Sequence, residues 1–366
     1  PPIATHHFLN PETHRALLEL GGGYVNKEEG MRDRLAQIRR EHKPDRIVLL
    51  HLGQNPDGCA PGLAEWARDL VAGSGLREYL CEYPESQSNE LRVKLAVLHR
   101  INPDWIMVSA GLDQMIDMIA ASFVEQRDRV LVTNPGFFLF EEYSCRHGGV
   151  PVELQLAESD GFAWTARTLD TFVELVHTLD IKLAWIANPN NPSGRLMEAE
   201  ILEEVLRIAR SRWITVIVDE AYGEYTDPSY GVNSATRFLS QYDNLIVLRT
   251  FSKAWGLAGM RLGCAMTRNP AILSALRVHR HYYPVTRLSL DLACLSLDNI
   301  PYLDTVRRLV AERRTVLAKS LAGMPGVSLV DSDAGIAMLR CLGITANDLA
   351  MGLELSLIHI SQGIVR

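Results

Sequence analysis

The stretch of sequence that decides the fold reads Thr250-Phe-Ser-Lys253-Ala-Trp-Gly-Leu-Ala-Gly-Met-Arg261-Leu-Gly263. It follows the apolar run 245–248, which places Lys253 in a loop directly after a predicted buried strand. A lysine held in a cleft near a second cation has a depressed amine pKa and becomes a Schiff-base nucleophile. Arg261 offers a planar fork suited to phosphate, and Thr250 and Ser252 add hydroxyls. Together these groups predict a site for pyridoxal phosphate (PLP); a surface Ser-Lys turn before a strand is the alternative.

Length and composition indicate a globular enzyme of about two domains. The chain has 366 residues, of which 47% are hydrophobic and 22% charged, so it can bury a substantial core. A formal net charge of -7 without a long basic run argues against nucleic-acid binding. Because no apolar stretch approaches ~18 residues and no signal peptide is evident, we expect a cytoplasmic protein without a membrane span.

The cysteines and histidines show no metal-binding pattern. The six cysteines are scattered without a CxxC pair, which is typical of buried thiols in a reducing compartment. The eleven histidines form no HExxH motif. We therefore expect neither a disulfide framework nor a metal site.

Short apolar runs alternate with helical patterns through the middle of the chain. The predicted buried strands are 105–109, 129–133, 183–187, 213–218 and 245–248. The predicted helices between them are 112–126, 168–178 and 199–211. Continuous apolar strands separated by helices predict an α/β fold with a mainly parallel central sheet sandwiched by helices. Ligands of such sheets bind at the carboxyl ends of the strands.

The two ends of the chain predict a second, small α+β domain. We expect residues 51–285 to form a large PLP-binding domain, and residues 1–50 together with 286–366 to form the small one. Residues 30–43 carry a charged helical pattern. The final part carries a long amphipathic helix at 302–320 and two strands at 326–330 and 336–339.

Two segments after predicted strands offer groups for a bound pyridine ring. Asp219 ends the run 213–218, and a buried carboxylate there could keep the ring nitrogen protonated so that PLP acts as an electron sink. Tyr222 could reach the ring hydroxyl. Asn191 lies in a turn fixed by two prolines and a glycine, which could hold its amide against the ring oxygen. The alternatives are a helix cap at Asp219 and a purely structural turn.

Two further segments offer a phosphate site and a stacking surface. Gly111, Leu112 and Asp113 run from a strand into a helix, whose free N–H groups and dipole favour phosphate. Helix starts of this type are common, so this signal is weak alone. Phe137 follows the strand at 129–133 and could stack on the ring, with core packing as the alternative.

Taken together, these segments resemble the fold-type I PLP-dependent aminotransferases of class I/II, and within them the histidinol-phosphate aminotransferase-like branch. The matching segments occur in the family's order: 54–56, 83–84, 111–113, 135–137, 188–194, 219–222 and 250–263. They span most of the chain. The combination is specific for the cofactor and the fold, and less so for the substrate.

The resemblance implies a role for each matched residue. Lys253 would bond the cofactor and then act as general acid and base for the proton shift. Asp219 would pair with the pyridinium nitrogen, Asn191 and Tyr222 would bind the ring oxygen, and Phe137 would stack. The groups implied to hold the phosphate are Thr250, Ser252, Arg261 and the amides of Gly111, Leu112 and Asp113.

Two more roles follow from the resemblance alone. Tyr83 matches a tyrosine that reaches the phosphate of the neighbouring subunit, which implies a homodimer with shared active sites. Asn55, in the segment 54–56, is a candidate substrate contact. The chain departs from the family pattern at Gln54 and Gln114, where glutamate is usual, at Leu112, where a small residue is usual, and at Phe137, where tyrosine is common. The first two departures leave the substrate open.

The end of the chain departs furthest from the family. The family has a later arginine that binds the substrate α-carboxylate, and residues 363–366 resemble a segment well before it. We therefore expect this arginine to be absent. Alternatively, residues 355–361 read like translated sequencing-library adapter, which would make the reading frame artificially truncated. The chain begins at Pro1 without methionine, so we expect a trimmed or incomplete start.

The leading prediction is a PLP-dependent aminotransferase that works by a ping-pong Schiff-base mechanism. Its substrates would be an amino acid or amino-alcohol phosphate, of histidinol-phosphate or aromatic type, and a 2-oxo acid acceptor. One alternative is a PLP-dependent decarboxylase or lyase of the same fold. The other is an inactive truncated homologue.

Overall fold

The computed structural model describes residues 36–37, 40, 53–226, 233–345 and 348–349. Ala36, Gln37 and Arg40 are helical, and the rest of the helix predicted at 30–43 lies outside the described residues. Residues 355–366, on which both hypotheses about the chain end depend, lie outside them as well.

Seven strands form the central sheet, in the order β1-β7-β6-β5-β4-β2-β3. Their bounds are β1 Ile106–Ser109, β2 Arg129–Asn134, β3 Val150–Gln155, β4 Ile181–Ala187, β5 Thr215–Asp219, β6 Leu245–Thr250 and β7 Gly263–Met266. Neighbouring strands are parallel except at β7, which is antiparallel to both β1 and β6. The predicted mainly parallel sheet is confirmed.

Both faces of the sheet are buried. Along β5, Val216 and Val218 belong to one hydrophobic cluster and Ile217 to another, as the two-residue period of a strand requires. The helices that cover these faces and flank the sheet are α1 Pro61–Ala72, α2 Leu76–Cys81, α3 Asn89–His99, α4 Gly111–Phe123, α5 Phe138–Arg146, α6 Ala166–Thr178, α7 Ala199–Ser211, α8 Pro270–His279, α9 Arg287–Leu297 and α10 Pro301–Leu321. The α/β sandwich is therefore confirmed.

Two strands of the sheet were not predicted from the sequence. β3 is an edge strand with mostly exposed or half-buried residues and a proline at position 151, so it lacks the apolar run of a buried strand. β7 has only four residues and begins with glycine. The start of β5 was also predicted two residues early: Trp213 is 92% exposed and adopts φ 60°, so the strand begins at Thr215.

A second, two-stranded antiparallel sheet lies after α10, formed by β8 Val327–Val330 and β9 Met338–Cys341. This agrees with the predicted long helix followed by two strands, although β9 begins two residues later than predicted. The division into a large and a small domain stays a prediction. Among the described residues, no helix has the length and apolar character needed to cross a membrane.

Candidate active site

The register of the sheet brings the candidate residues to one edge. Asp219, the last residue of β5, lies opposite Ala187 of β4 and Leu248 of β6. Gly263 of β7 lies between Thr250 of β6 and Ser109 of β1. The loops that follow β1, β4, β5 and β6 therefore leave the sheet side by side, as expected for a ligand site in a parallel α/β sheet.

Asp219 is a buried carboxylate with one backbone donor. Its side chain accepts a hydrogen bond from the Ala221 N–H at 2.9 Å, and the residue is 5% exposed. Burial raises the pKa of Asp219 to about 7, although the Ala221 N–H and the Lys253 ammonium both oppose the rise. A nearby cation would stabilise the ionised form of this buried carboxyl group.

Lys253 lies beside Tyr222 and close to the backbone of Gly53. Its Nζ is 5.3 Å from the centroid of the Tyr222 ring. Burial lowers the pKa of Lys253, Asp219 opposes this effect, and Arg261 adds to it. The lowered pKa increases the fraction of the neutral amine, which is the nucleophilic form. Burial, and then the Asp219 charge, raise the pKa of Tyr222 to about 12, so its hydroxyl keeps its proton.

Gly111, Arg261 and Asp113 form the other end of the site. Arg261 donates to Asp113 across 3.0 Å, and both side chains are about half exposed, 49% and 54% respectively. Gly111 has φ +81°, and a Cβ there would lie 2.7 Å from Arg261 Nη2. Only glycine combines that backbone conformation with an arginine so close. The Ala110 N-cap makes no side-chain capping bond, which leaves the start of α4 suited to an anion.

Hydroxyls and an amide complete this end. The Thr250 hydroxyl donates to Ser252 Oγ at 3.0 Å and accepts from the Ser252 N–H at 3.1 Å. Gln114 accepts from the Ala110 N–H at 2.8 Å through its side-chain oxygen. Glutamine and glutamate make this capping contact equally well, so the departure at position 114 has a local structural explanation.

The turn that carries Asn191 is held by its neighbours. Asn190 donates through its side-chain nitrogen to the Pro135 carbonyl at 3.2 Å and to Ser193 Oγ at 3.0 Å. Asn188 accepts from the Met197 N–H at 2.8 Å. Both asparagines are buried, whereas Asn191 is half-buried. The prediction of a fixed turn is thereby confirmed, and contact of Asn191 with a ring oxygen stays a prediction.

Phe137 stands on an aromatic stack. Its ring is edge-on to Phe140 at 5.3 Å between centroids, and Phe140 lies flat against Trp185 at 4.9 Å. The turn before Phe137 is tight, because a Cβ on Gly136 would overlap the Thr133 carbonyl. The half-buried ring of Phe137 is therefore rigidly placed at the end of β2.

The side chains of Tyr83 and Asn55 contact residues outside the predicted site. Tyr83 is 80% exposed and stacks on Tyr283 with centroids 4.7 Å apart. Asn55 is buried, and its side-chain nitrogen donates to the Ala254 carbonyl at 2.9 Å and to Tyr302 Oη at 3.2 Å. Both of these bonds go to protein atoms, so substrate contact by Asn55 stays a prediction.

A buried charge cluster beneath the site was not predicted from the sequence. Arg249 pairs with Glu220 at 2.6 Å and with Glu224 at 3.1 Å, and all three side chains are at most 5% exposed. Burial by itself lowers the pKa of Arg249, but the two carboxylates outweigh it and raise the pKa overall. The signal for this cluster was a single arginine inside the fully buried strand β6.

The donor set fits a phosphorylated pyridine aldehyde. A buried carboxylate and a lysine of lowered pKa lie at one end, and an arginine, hydroxyls, a glycine and a helix start lie at the other. Among the described residues, no group of three or more His, Cys, Asp or Glu side chains could hold a metal ion.

Comparison with known proteins identifies the family. The family model for "Aminotransferase class I and II" matches residues 45–353. Histidinol-phosphate aminotransferase of Ruminiclostridium cellulolyticum is 33% identical over 272 residues, which cover 72% of this chain and 73% of that protein. The corresponding enzyme of a Thermoanaerobacter species is 31% identical over 258 residues, covering 70% of this chain and 69% of that one.

Solved structures agree on the fold. The histidinol-phosphate aminotransferase of Sinorhizobium meliloti, in complex with pyridoxal-5'-phosphate, superposes with a TM-score of 0.76 at 24% identity, covering 89% of this chain and 84% of that chain. The putative enzyme of Erwinia carotovora atroseptica gives a TM-score of 0.77 at 21% identity, covering 87% and 88%. The chain therefore belongs to the class I and II aminotransferases and is a PLP-dependent aminotransferase of fold type I.

Proposed function

We propose that this aminotransferase acts on an amino-alcohol phosphate or aromatic amino acid of the histidinol-phosphate type, with a 2-oxo acid as the acceptor. The observation that carries the proposal is the 33% identity, over most of both chains, to a protein named histidinol-phosphate aminotransferase. The site itself supports the shared chemistry, since it places a lysine of lowered pKa beside a buried carboxylate.

Lys253 performs the bond-forming and proton-transfer work in this proposal. When bound, PLP supplies an electron sink that allows the Cα–H bond of the amino substrate to break. Lys253 Nζ, whose pKa is lowered by desolvation, would bond the cofactor aldehyde and would act as the acid and base for the Cα proton. Tyr222 keeps its phenolic proton and would donate a hydrogen bond to the ring oxygen, with the Asn191 amide as a second donor.

The remaining residues bind and orient. Asp219 would keep the ring nitrogen protonated, and Phe137, which packs on Phe140 and through it on Trp185, would support the ring. At the phosphate end we assign the fork of Arg261, the hydroxyls of Thr250 and Ser252, and the amides of residues 111–113. Phosphate would then compete with Asp113 for Arg261.

A half-reaction screen tests the substrate assignment. The holoenzyme is mixed with single amino donors, and the cofactor spectrum is followed without an acceptor. Histidinol phosphate is compared with histidinol, its phosphate-free match, and with phenylalanine and tyrosine. We expect stable conversion of the cofactor to its pyridoxamine form with histidinol phosphate or with an aromatic donor. Release of carbon dioxide or of an eliminated group without that conversion would instead indicate a decarboxylase or lyase. An unchanged cofactor spectrum with every donor would overturn the proposal.

We further propose a homodimer in which Tyr83 enters the phosphate site of the partner subunit. Tyr83 is 80% exposed, and the adjacent Tyr282 and Tyr283 are 86% and 49% exposed, which makes an aromatic surface suited to a partner. Mixing inactive Lys253→Ala subunits with inactive Tyr83→Ala subunits tests whether each active site contains residues of both subunits. Mixed dimers should recover activity, because one of their two sites is intact; no recovery in a verified mixed dimer would argue against it.

We propose a cytoplasmic location. No disulfide bond forms among the six cysteines, all of which lie in the described part of the chain. Several cysteines without a disulfide are typical of a protein kept in a reducing compartment. Fractionation of cells that produce the protein would test this.

A further inference from the structure

The backbone of residues 53–58 lies directly on the loop that carries Lys253. Gly53 has φ +57°, and a Cβ there would lie 3.0 Å from Tyr222 Oη and 3.3 Å from Lys253 Nζ. Gly256, at the other end of the lysine loop, has φ +70°, and a Cβ there would overlap the Gly58 carbonyl. Glycines at both ends allow two backbones to approach within a distance that side chains would not permit.

Asn55 joins these two backbones through its side chain. Its Nδ2 donates to the carbonyl of Ala254, the residue after Lys253, and to Tyr302 Oη. Its Oδ1 accepts from the Asp57 N–H at 3.0 Å and so fixes the turn within residues 53–58. Because the residue is buried, each lost hydrogen bond would leave a polar group without compensation from solvent.

Helix α10 holds the same segment from outside. The Tyr302 hydroxyl donates to the Gly58 carbonyl and accepts from Asn55. About three turns further along the same face of the helix, Arg313 forms a bidentate pair with Asp57, with both N–O distances at 2.7 Å. The hydrogen bond from Arg313 lowers the pKa of Asp57, so the pair is charged on both sides at neutral pH. Residues about 250 positions apart in sequence thus meet at one short segment.

We propose that Asn55, Tyr302 and the Asp57–Arg313 pair are positioning residues for transamination. They hold residues 53–58 at a fixed distance from Lys253 Nζ and Tyr222 Oη, which sets the width of the approach to the reacting amine and keeps water from it. None of them touches the reacting atoms. Their effect acts through the Gly53 backbone, and the inference rests on Lys253 being the reactive lysine.

The test uses Arg313→Gln, Asp57→Asn and the exchanged pair Asp57→Arg/Arg313→Asp. Arg308→Gln is the matched control, because Arg308 forms a comparable 2.8 Å pair with Glu312 on the exposed side of the same helix. Amide hydrogen exchange of residues 53–58 is measured in the cofactor-free protein, and kcat, KM and Tm are measured in the holoenzyme. Tyr302→Phe is added as a second single variant.

We expect Arg313→Gln and Asp57→Asn to speed exchange of residues 53–58 and to lower kcat/KM by about fivefold each, the size typical of a well-formed exposed pair. Tyr302→Phe should cost about tenfold, since the hydroxyl serves two partners. The exchanged pair should restore both readouts, and the Arg308→Gln control should leave them unchanged.

Three outcomes would overturn the proposal. Exchange and kcat/KM could be unchanged in the single variants, exchange could rise without any kinetic change, or Arg308→Gln could reproduce the loss together with a lower Tm. If the enzyme showed no transamination with any donor, the proposed substrate would be wrong. The exchange measurement would still report whether α10 holds the segment.

Discussion

The two ends of the site handle charge in opposite ways. At the ring end, Asp219 is 5% exposed, Lys253 is largely withdrawn from solvent, and burial shifts the pKa values of both toward the neutral forms. At the phosphate end, Arg261 and Asp113 are about half exposed and pair with each other across 3.0 Å. Desolvation therefore shifts the pKa values at the ring end, whereas a glycine and a helix start provide the anion site at the phosphate end. Substitutions should therefore act on chemistry at one end and on cofactor retention at the other.

The largest effect is expected for Lys253→Ala. Without Nζ the protein can neither bond the cofactor aldehyde nor move the Cα proton, so turnover should fall below detection. The lysine-dependent yellow absorbance of the bound cofactor should also disappear. Lys319→Ala, on the exposed part of α10, serves as the control. A variant at position 253 that keeps the yellow absorbance would show that another lysine is the reactive one.

Asp219→Asn should lower kcat by about three orders of magnitude or more, since an amide cannot hold the ring nitrogen protonated. The fold should persist, because asparagine can still accept the Ala221 N–H hydrogen bond. Circular dichroism and stopped-flow half-reactions measure the two properties separately. Near-normal turnover in this variant would exclude the proposed role of Asp219.

The cofactor-free protein should lose stability as the pH rises from about 4 to about 7. The folded-state pKa of Asp219 is raised from 3.8 to about 7, so the native state binds more protons than the unfolded state within this window. The stabilising effect is complete below the unfolded pKa and is lost as the pH passes the folded pKa, with an upper limit of about 4 kcal/mol. Urea unfolding at several pH values, compared with Asp219→Asn, isolates this contribution. Parallel pH curves for the two proteins would contradict it.

Gly111→Ala should weaken PLP binding by about tenfold and leave kcat at saturating cofactor nearly unchanged. The added Cβ would lie 2.7 Å from Arg261 Nη2 and would occupy a positive φ, so the arginine must move away from the phosphate position. Gly259→Ala in the neighbouring turn is the matched control, because a Cβ there meets no atom within 4 Å. Cofactor titration by fluorescence measures the affinity. A fall in kcat without a change in PLP affinity would contradict the assignment of Gly111 to cofactor binding.

The strand-end residues were predictable because each follows an apolar run. Asp219 is the last residue of β5, Lys253 and Phe137 lie three residues after β6 and β2, and alternation with helices fixes which strand ends meet. Strands β3 and β7 escaped prediction for opposite reasons: the first is a polar edge strand with a proline, and the second is too short for a periodic signal.

Roles that depend on distant partners were beyond the reach of sequence patterns. The partners of Asn55 are Ala254 and Tyr302, about 200 and 250 residues away, and no local spacing encodes such a contact. Arg249 gave a local signal, a charge in a buried strand, but its partners Glu220 and Glu224 are fixed only by the three-dimensional arrangement. A pattern can thus suggest that a charge is compensated without showing by which group.

The antiparallel strand β7, inserted between β1 and β6, has a consequence for the order of assembly. It brings Arg261 and Gly263 back to Gly111 and Asp113, and the Arg261–Asp113 contact joins residues 148 positions apart. During synthesis on the ribosome, the half of the site that follows β1 must therefore wait for the emergence of β7. Contacts between residues so far apart in sequence form late, because closing the long loop between them costs conformational entropy. A nascent chain stalled before residue 263 should consequently fail to retain the cofactor, however well its earlier strands have folded.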